Sequence, residues 1–355
     1  MKLQAGLLGL LATCLAGCAA LAGEAARLDF HPRPAVVPVP PVQRAEWARH
    51  LVRMQLGLFP EAGRLPEDHV LPRDAALAGV RAAEASAVAV TWIGHSTALI
   101  RMGGKWILTD PVMMPAIGVG PLMIARLAPP RPALDDLPPI DVILISHGDH
   151  DHLDLRTLRR LAVRNPDVLV LVPAGNARLL APIHLRNVIE MDWYQRGNWQ
   201  GLGFEAVPAI HGLRRPPEPA DSALWGGWIV RAGHISLYFA GDTGFGPLFG
   251  EIRRQSGPVD FALVPIGAYA PRRLEAPFHV APEEAAAIAR VLGARTAIGV
   301  HWGTFPLSEE APIEQQSRFL AASARTLTTL APRIGETIIL VDKAVPRFDR
   351  PGELR

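Results

Sequence analysis

Cysteine is almost missing from this chain: its 355 residues include two, Cys14 and Cys18. Both precede residue 20, so the rest of the sequence can form neither a disulfide nor a thiolate metal site. Any metal held there must be held by His, Asp or Glu. Net charge is equally scarce. The balance of 36 basic and 34 acidic side chains leaves +2, and no Lys/Arg cluster marks a nucleic-acid-binding surface. No run is long enough for a transmembrane helix, and no short period repeats. With 34 Pro and 32 Gly, the chain is also a poor candidate for a helical bundle.

What is present begins with a targeting pattern. Met1-Lys2 is a short positive segment, and Leu7 to Leu15 an apolar one too short to span a bilayer. Leu15-Ala16-Gly17-Cys18 resembles the bacterial lipobox, which implies a signal peptide at 1–17 and a lipidated Cys18. Ala19 after the cysteine fits export to the outer membrane. The expected location is the bacterial cell envelope, facing the periplasm, with several acyl chains giving stable anchoring. Residues 18–43 then read as lipidated cysteine and Pro-rich tether, 44–86 as an irregular lead-in, 87–345 as the main domain and 346–355 as a tail. Within the lead-in, Trp47, Leu51, Met54 and Leu58 have the spacing of a short amphipathic helix.

From Val88 onward, short β-rich runs alternate with loops and helices. Helices are expected at Leu155–Arg164 with Asp154 as cap, at Pro282–Leu292 ending at Gly293, and at Pro312–Thr328. Two blocks of strands, each followed by helices, predict an α/β fold with sheets packed face to face and helices outside.

The densest chemistry follows the apolar strand Val142–Ile145. Ser146-His147-Gly148-Asp149-His150-Asp151-His152 places five potential metal ligands within six residues. Buried without a cation, the carboxylates would repel one another and every polar group would be costly to desolvate. Four other strands end similarly: Trp106–Thr109 in Asp110, Val207–Ile210 in His211, Leu237–Gly241 in Asp242 and Ala297–Val300 in His301. Five strand ends that each finish in one ligand-type residue predict a single site at one rim.

These residues resemble the metallo-β-lactamase superfamily, whose core pattern is H-x-H-x-D-H. The branch they look most like contains the N-acylphosphatidylethanolamine-hydrolysing phospholipase D. The carriers run in order: Thr91-Trp92-Ile93-Gly94-His95-Ser96-Thr97, Leu108-Thr109-Asp110-Pro111-Val112 and the His147 run. Then come Ile210-His211 with Arg214-Arg215, Leu224-Trp225-Gly226-Gly227, Gly241-Asp242-Thr243-Gly244, His279 to Glu284, and His301-Trp302-Gly303-Thr304-Phe305. The resemblance implies a four-layer αββα sandwich of two mixed sheets flanked by helices. It also implies two divalent metals: one on His147, Asp149 and His211, the other on Asp151, His152 and His301, with Asp242 bridging. One position departs from the pattern, because Asp149 stands where the family has its second His. A harder, more acidic donor set keeps zinc as first choice but admits iron or manganese.

The catalytic set the resemblance implies is Asp151, Asp110 and His279. Asp110 would orient ligands from behind, and His279 would face the substrate phosphate and donate a proton to the leaving group. His95, His150 and Arg214 are expected behind the ligands or along the substrate. His31, His50, His69, His184 and His234 receive no functional reading. The implied activity is hydrolysis of a phosphodiester by a metal-bridging hydroxide, on N-acylphosphatidylethanolamine or a related phospholipid, with the membrane as partner and no nucleic acid. The alternatives are a lactonase or ester hydrolase of the same fold, and a non-enzymatic envelope lipoprotein with a degenerate site.

Overall fold

The structure, a computed structural model, describes residues 41–120 and 123–342. The expected signal peptide, Cys18, almost all of the tether and the tail lie outside the described residues. Among the described residues no helix is long and apolar enough to cross a membrane.

The chain enters through helices α1 (Pro41–Gln55) and α2 (Arg73–Glu84), then strands β1 (Ser86–Gly94), β2 (Thr97–Met102) and β3 (Lys105–Thr109). A small hairpin, β4 (Ala116–Ile117) with β5 (Ile124–Ala125), precedes β6 (Val142–Leu144) and α3 (Leu155–Arg164). Next come β7 (Leu169–Pro173), the short α4 (Ala177–Leu180), β8 (Asn187–Met191), β9 (Arg196–Trp199), β10 (Leu202–Val207), β11 (Gly227–Ala232) and β12 (Ile235–Phe239). The last elements are α5 (Leu248–Ser256), β13 (Phe261–Pro265), α6 (Arg272–Glu275), α7 (Pro282–Leu292), β14 (Thr296–Val300), α8 (Pro312–Ala321), β15 (Thr328–Leu330) and β16 (Thr337–Asp342).

Two seven-stranded sheets result, in the orders β16-β1-β2-β3-β6-β7-β8 and β15-β14-β13-β12-β11-β10-β9. Each is mixed. β3, β6, β7 and β8 run parallel, as do β12 through β15, and antiparallel strands complete both sheets. Alternation along β1 shows the layering. Val88, Val90 and Trp92 join the core shared with the second sheet, whereas Ala89 and Ile93 turn outward to a core with α2 and α3. Helices α5, α7 and α8 cover the far face of the second sheet. The architecture is the expected αββα sandwich.

Two expectations need correction. The stretch before Ser86 is not irregular, since α2 packs on β1 and β16. Its buried side is Ala76, Val80 and Ala83, too small a stripe to stand out in a sequence. The final helix stops at Ala321 rather than Thr328, because the β-branched Thr328-Thr329 instead extend the second sheet beside β14. Helix α3 runs as expected from its cap. The Asp154 carboxylate accepts from the backbone amides of Arg156 and Thr157, which fixes the downstream end of the ligand-rich loop.

Candidate metal centre

Each candidate ligand sits just past the C-terminal end of a strand, and strand polarity gathers those ends at one rim. In the first sheet β1, β3 and β6 point the same way, delivering His95, Asp110 and the His147 loop. In the second sheet β10, β12 and β14 also share a direction, delivering His211, Asp242 and His301. The backbone bends sharply there: φ is +53° at His95, +30° at Asp110 and +59° at His301. Left-handed conformations cost non-glycine residues about 1–3 kcal/mol each and persist where surrounding structure enforces them. Gly241 meets a harder constraint, with φ +61° and only 2.4 Å between an added Cβ and the Cβ of Ser146.

Two donor clusters meet at this rim. His147, Asp149 and His211 bring donor atoms within 4.8 Å of one another, as do Asp151, His152, His301 and His95. Asp242 reaches both sides. It groups with His147 and His152, and its Oδ2 lies 3.1 Å from the Nε2 atoms of both His152 and His301. All seven ligands expected from the sequence are therefore brought together.

Behind the ligands, hydrogen bonds settle which ring nitrogen faces inward. Asp110, fully buried, accepts the backbone N–H of Ser146 at 2.7 Å on Oδ1; Nδ1 of His152 lies 2.7 Å from Oδ2. A carboxylate can only accept, so Nδ1 of His152 carries a proton toward Asp110 and Nε2 is the nitrogen left to meet a cation. The Ser146 hydroxyl also donates to Asp110 and in turn stands 2.9 Å from Nδ1 of His147, with the same consequence for that ring. Nδ1 of His211 faces the Phe278 carbonyl at 3.2 Å. His95 contacts Asp151 through Nε2 at 3.0 Å.

The inward atoms face one another rather than a hydrogen-bond partner. Nε2 of His147, His152 and His301 and Oδ1 of Asp242 are buried and make no hydrogen bond among the described residues, their polar neighbours being the other candidate ligands. Each such atom costs about 1–3 kcal/mol when unsatisfied. A cation removes those costs, so the donor set fits a metal. Charge is poised accordingly. Burial opposes ionisation throughout, yet facing histidines hold Asp149, Asp151 and Asp242 below the usual carboxylate range. Conversely Asp242 and Asp151 override burial to raise His301 to about 9, and they raise His152 well above its ordinary value. His95 instead falls to about 3, through burial and the neighbouring His301.

His279 faces the same space: its donor atom groups with Asp242 and His301, and burial lowers it to about 3. The other expected residues separate. Asp110 acts through Ser146 and His152, not on substrate. His150 turns aside to the Pro216 carbonyl at 3.1 Å. The Arg214 guanidinium pairs with Asp221 at 2.7 Å, while its backbone N–H donates to Asp149. The neighbour Arg215 has a role the sequence did not reveal. It is buried and donates to the carbonyls of Gly148 and Leu153 at 2.7 and 2.9 Å, clamping both flanks of the ligand loop. Glu275, also unforeseen, is buried beside His279 and pushed up to about 7 by desolvation.

Residues 105–302 match the beta-lactamase superfamily domain. An N-acyl-phosphatidylethanolamine-hydrolyzing phospholipase D from Caenorhabditis elegans is 34% identical over 236 residues, 62% of this chain and 65% of that protein. The matched stretch thus spans just under two thirds of that relative's length. A metal-dependent hydrolase from Pelotomaculum thermopropionicum is 27% identical over 264 residues, 71% of this chain and 99% of that one. Among solved structures, a metallo hydrolase from the archaeon Ignicoccus hospitalis superposes with a TM-score of 0.53 at 21% identity, covering 71% of this chain and 97% of that one. Fold and site together define a metal-dependent hydrolase. The chain belongs to the metallo-β-lactamase superfamily, and within it is similar to the N-acylphosphatidylethanolamine-hydrolysing phospholipase D.

Proposed function

We propose that this chain is a dinuclear phosphodiesterase that cleaves phospholipids between phosphate and head group, and that a lipid on Cys18 holds it at the bacterial envelope beside its substrate. The observation that carries this reading is the position of Asp242, with one donor cluster on each side of it. His147, Asp149 and His211 would hold one ion, Asp151, His152 and His301 the other, and Asp242 would serve both. Zinc is the first choice, with manganese or iron as the ions that Asp149 admits. Two divalent ions bound there supply an activated water and a Lewis acid for the phosphoryl oxygens.

The chain's own groups do the rest. Asp110 and Ser146 keep the imidazoles of His152 and His147 in the tautomer that points Nε2 inward. His95 holds Asp151 in place. His279, at the mouth, would give a proton to the departing alkoxide as the phosphorus–oxygen bond breaks and water oxygen joins phosphorus. The product pair would be phosphatidate and the free head-group alcohol. The name of the nematode relative favours an N-acylated ethanolamine head group, and anchoring would raise the local substrate concentration without any new contact.

The test is release of phosphatidate from N-acylphosphatidylethanolamine and from phosphatidylethanolamine by protein loaded with zinc, manganese or iron. Hydrolysis of lactones without any phosphatidate would replace the phospholipid reading with the ester-hydrolase one. Loss of both activities in metal-replete protein would leave a binding lipoprotein.

A further inference from the structure

His279 reaches the site on the segment that follows α6, and α1 holds this segment from outside. The His279 ring lies between two carboxylates, with Nδ1 3.9 Å from Oδ2 of Asp242 and Nε2 3.9 Å from Oε2 of Glu275. Glu275 is 3% exposed. Its other oxygen lies 3.3 Å from Nε2 of His50 on α1, a side chain equally sequestered. A continuous line therefore runs His50, Glu275, His279, Asp242, buried except at the partly exposed His279, from the N-terminal helix to the middle of the metal centre.

A carboxylate placed where water cannot reach it is costly unless its partners compensate. Docking of α1 does not require that cost. Trp47 already packs edge-on against Phe278, with ring centroids 6.0 Å apart. Glu46 binds Arg273 at 3.1 Å and Arg53 binds Glu309 at 2.7 Å, pinning the helix from the surface. What the buried pair adds is contact with the His279 ring on the side away from the metals.

We propose that His50 and Glu275 are positioning residues for His279, so that α1 is part of the active site although it lies outside the stretch that matches the superfamily domain. Glu275 accepts the Nε2 proton and turns Nδ1 toward Asp242 and His301, and His50 fixes the carboxylate from behind. Because a carboxylate only accepts, the resting ring is neutral with its proton on Nε2. Nδ1 takes a proton from the attacking water and passes it to the leaving alkoxide, after which the ring is again neutral with Nε2 facing Glu275. Contacts of 3.9 Å in a free site are of the kind that shorten around bound substrate.

The catalytic side of this inference rests on the reading of His279 as proton donor, and two measurements on the full-length, metal-loaded protein keep the questions apart. The first is the nitrogen-15 signature of the His279 ring, which needs no turnover. Glu275→Gln and His50→Ala should convert a single Nε2-protonated tautomer into a mixture, and a ring unmoved by both overturns the positioning. The second compares a diester whose leaving group is an alkyl alcohol with one releasing p-nitrophenolate, which needs no acid. His279→Ala should slow the alkyl ester about 100-fold and largely spare the nitrophenyl ester. Glu275→Gln and His50→Ala should each show the same selectivity at about tenfold, with unchanged metal content, and Glu275→Gln should add nothing in a His279→Ala background. Equal slowing of both esters, or additive losses, would make His50 and Glu275 merely structural pins. A His279→Ala variant indifferent to the leaving group would remove the proton-donor reading while leaving the ring-positioning result to stand or fall by the first measurement.

Discussion

Asp110 and His152 meet at 2.7 Å with neither side chain exposed to solvent, and the same carboxylate takes both the amide and the hydroxyl of Ser146. One acceptor thereby orients two candidate ligands, directly for His152 and through Ser146 for His147. Asp110→Asn replaces an acceptor oxygen with an NH2 group facing Nδ1, which favours the wrong tautomer. The expected outcome is a 10–100-fold loss in metal affinity, measured by competition with a chromophoric chelator, with the far-ultraviolet circular dichroism unchanged.

Proton balance gives a second prediction. In the metal-free chain His301 sits at about 9, raised by Asp242 and Asp151 against burial, and His152 is raised as well. His301 is then protonated at pH 7 and must lose that proton to bind a cation. Metal uptake should release protons at that pH, read by calorimetry in buffers of different ionisation enthalpy. Apparent affinity should climb with pH and flatten above about 9. The metal-free fold should behave oppositely. A raised histidine stabilises fully below its unfolded value near 6.5 and loses that contribution as pH rises through about 9, so the melting temperature without metal should fall across this window. Proton-neutral uptake contradicts this charge assignment.

Asp149 should set metal preference. Its carboxylate faces His147 at 3.6 Å and His211 at 3.9 Å, a mixed oxygen and nitrogen set. Asp149→His makes that trio all imidazole, which should raise zinc occupancy relative to manganese in a competition experiment read by elemental analysis. An unchanged ratio would mean that Asp149 does not reach the ion.

Arg215 should matter for stability more than for chemistry. Truncating it to Ala strips two buried carbonyls, on Gly148 and Leu153, of their donor. A loss of about 1–3 kcal/mol in unfolding free energy is expected. Metal-dependent refolding should remain intact, because no ligand is removed.

Much of this site could be read directly from the sequence, for a physical reason. Strands that bury both faces are apolar throughout, so a His or Asp at the end of each stands out, and sheet polarity collects those ends. The strand-end residues stood out for that reason, whereas the ligand set was what the family resemblance implied and the Asp154 cap followed from its place before a helical run. Helix α2 did not, since Ala76, Val80 and Ala83 present too little apolar contrast. Nor did β9, whose Arg-Gly-Asn-Trp segment is half-exposed at a sheet edge and reads as a turn. The stripe Trp47, Leu51, Met54 and Leu58 pointed to a helix, but Leu51 and Leu58 are exposed and His50 is buried instead. No local pattern marks His50 or Arg215, because the groups that give them meaning, Glu275 and the Gly148 and Leu153 carbonyls, are brought near only by folding.

The proposed chemistry depends on one centre shared by two donor clusters. Its most direct test is stepwise metal titration of the stripped chain, with bound metal counted by elemental analysis and phosphodiester cleavage followed at each step. The account predicts two ions per chain, with activity appearing as the second is bound, and no more than one ion retained by Asp242→Ala. A wild-type chain that saturates below one ion, or that reaches full activity with one and keeps it without Asp242, would contradict it.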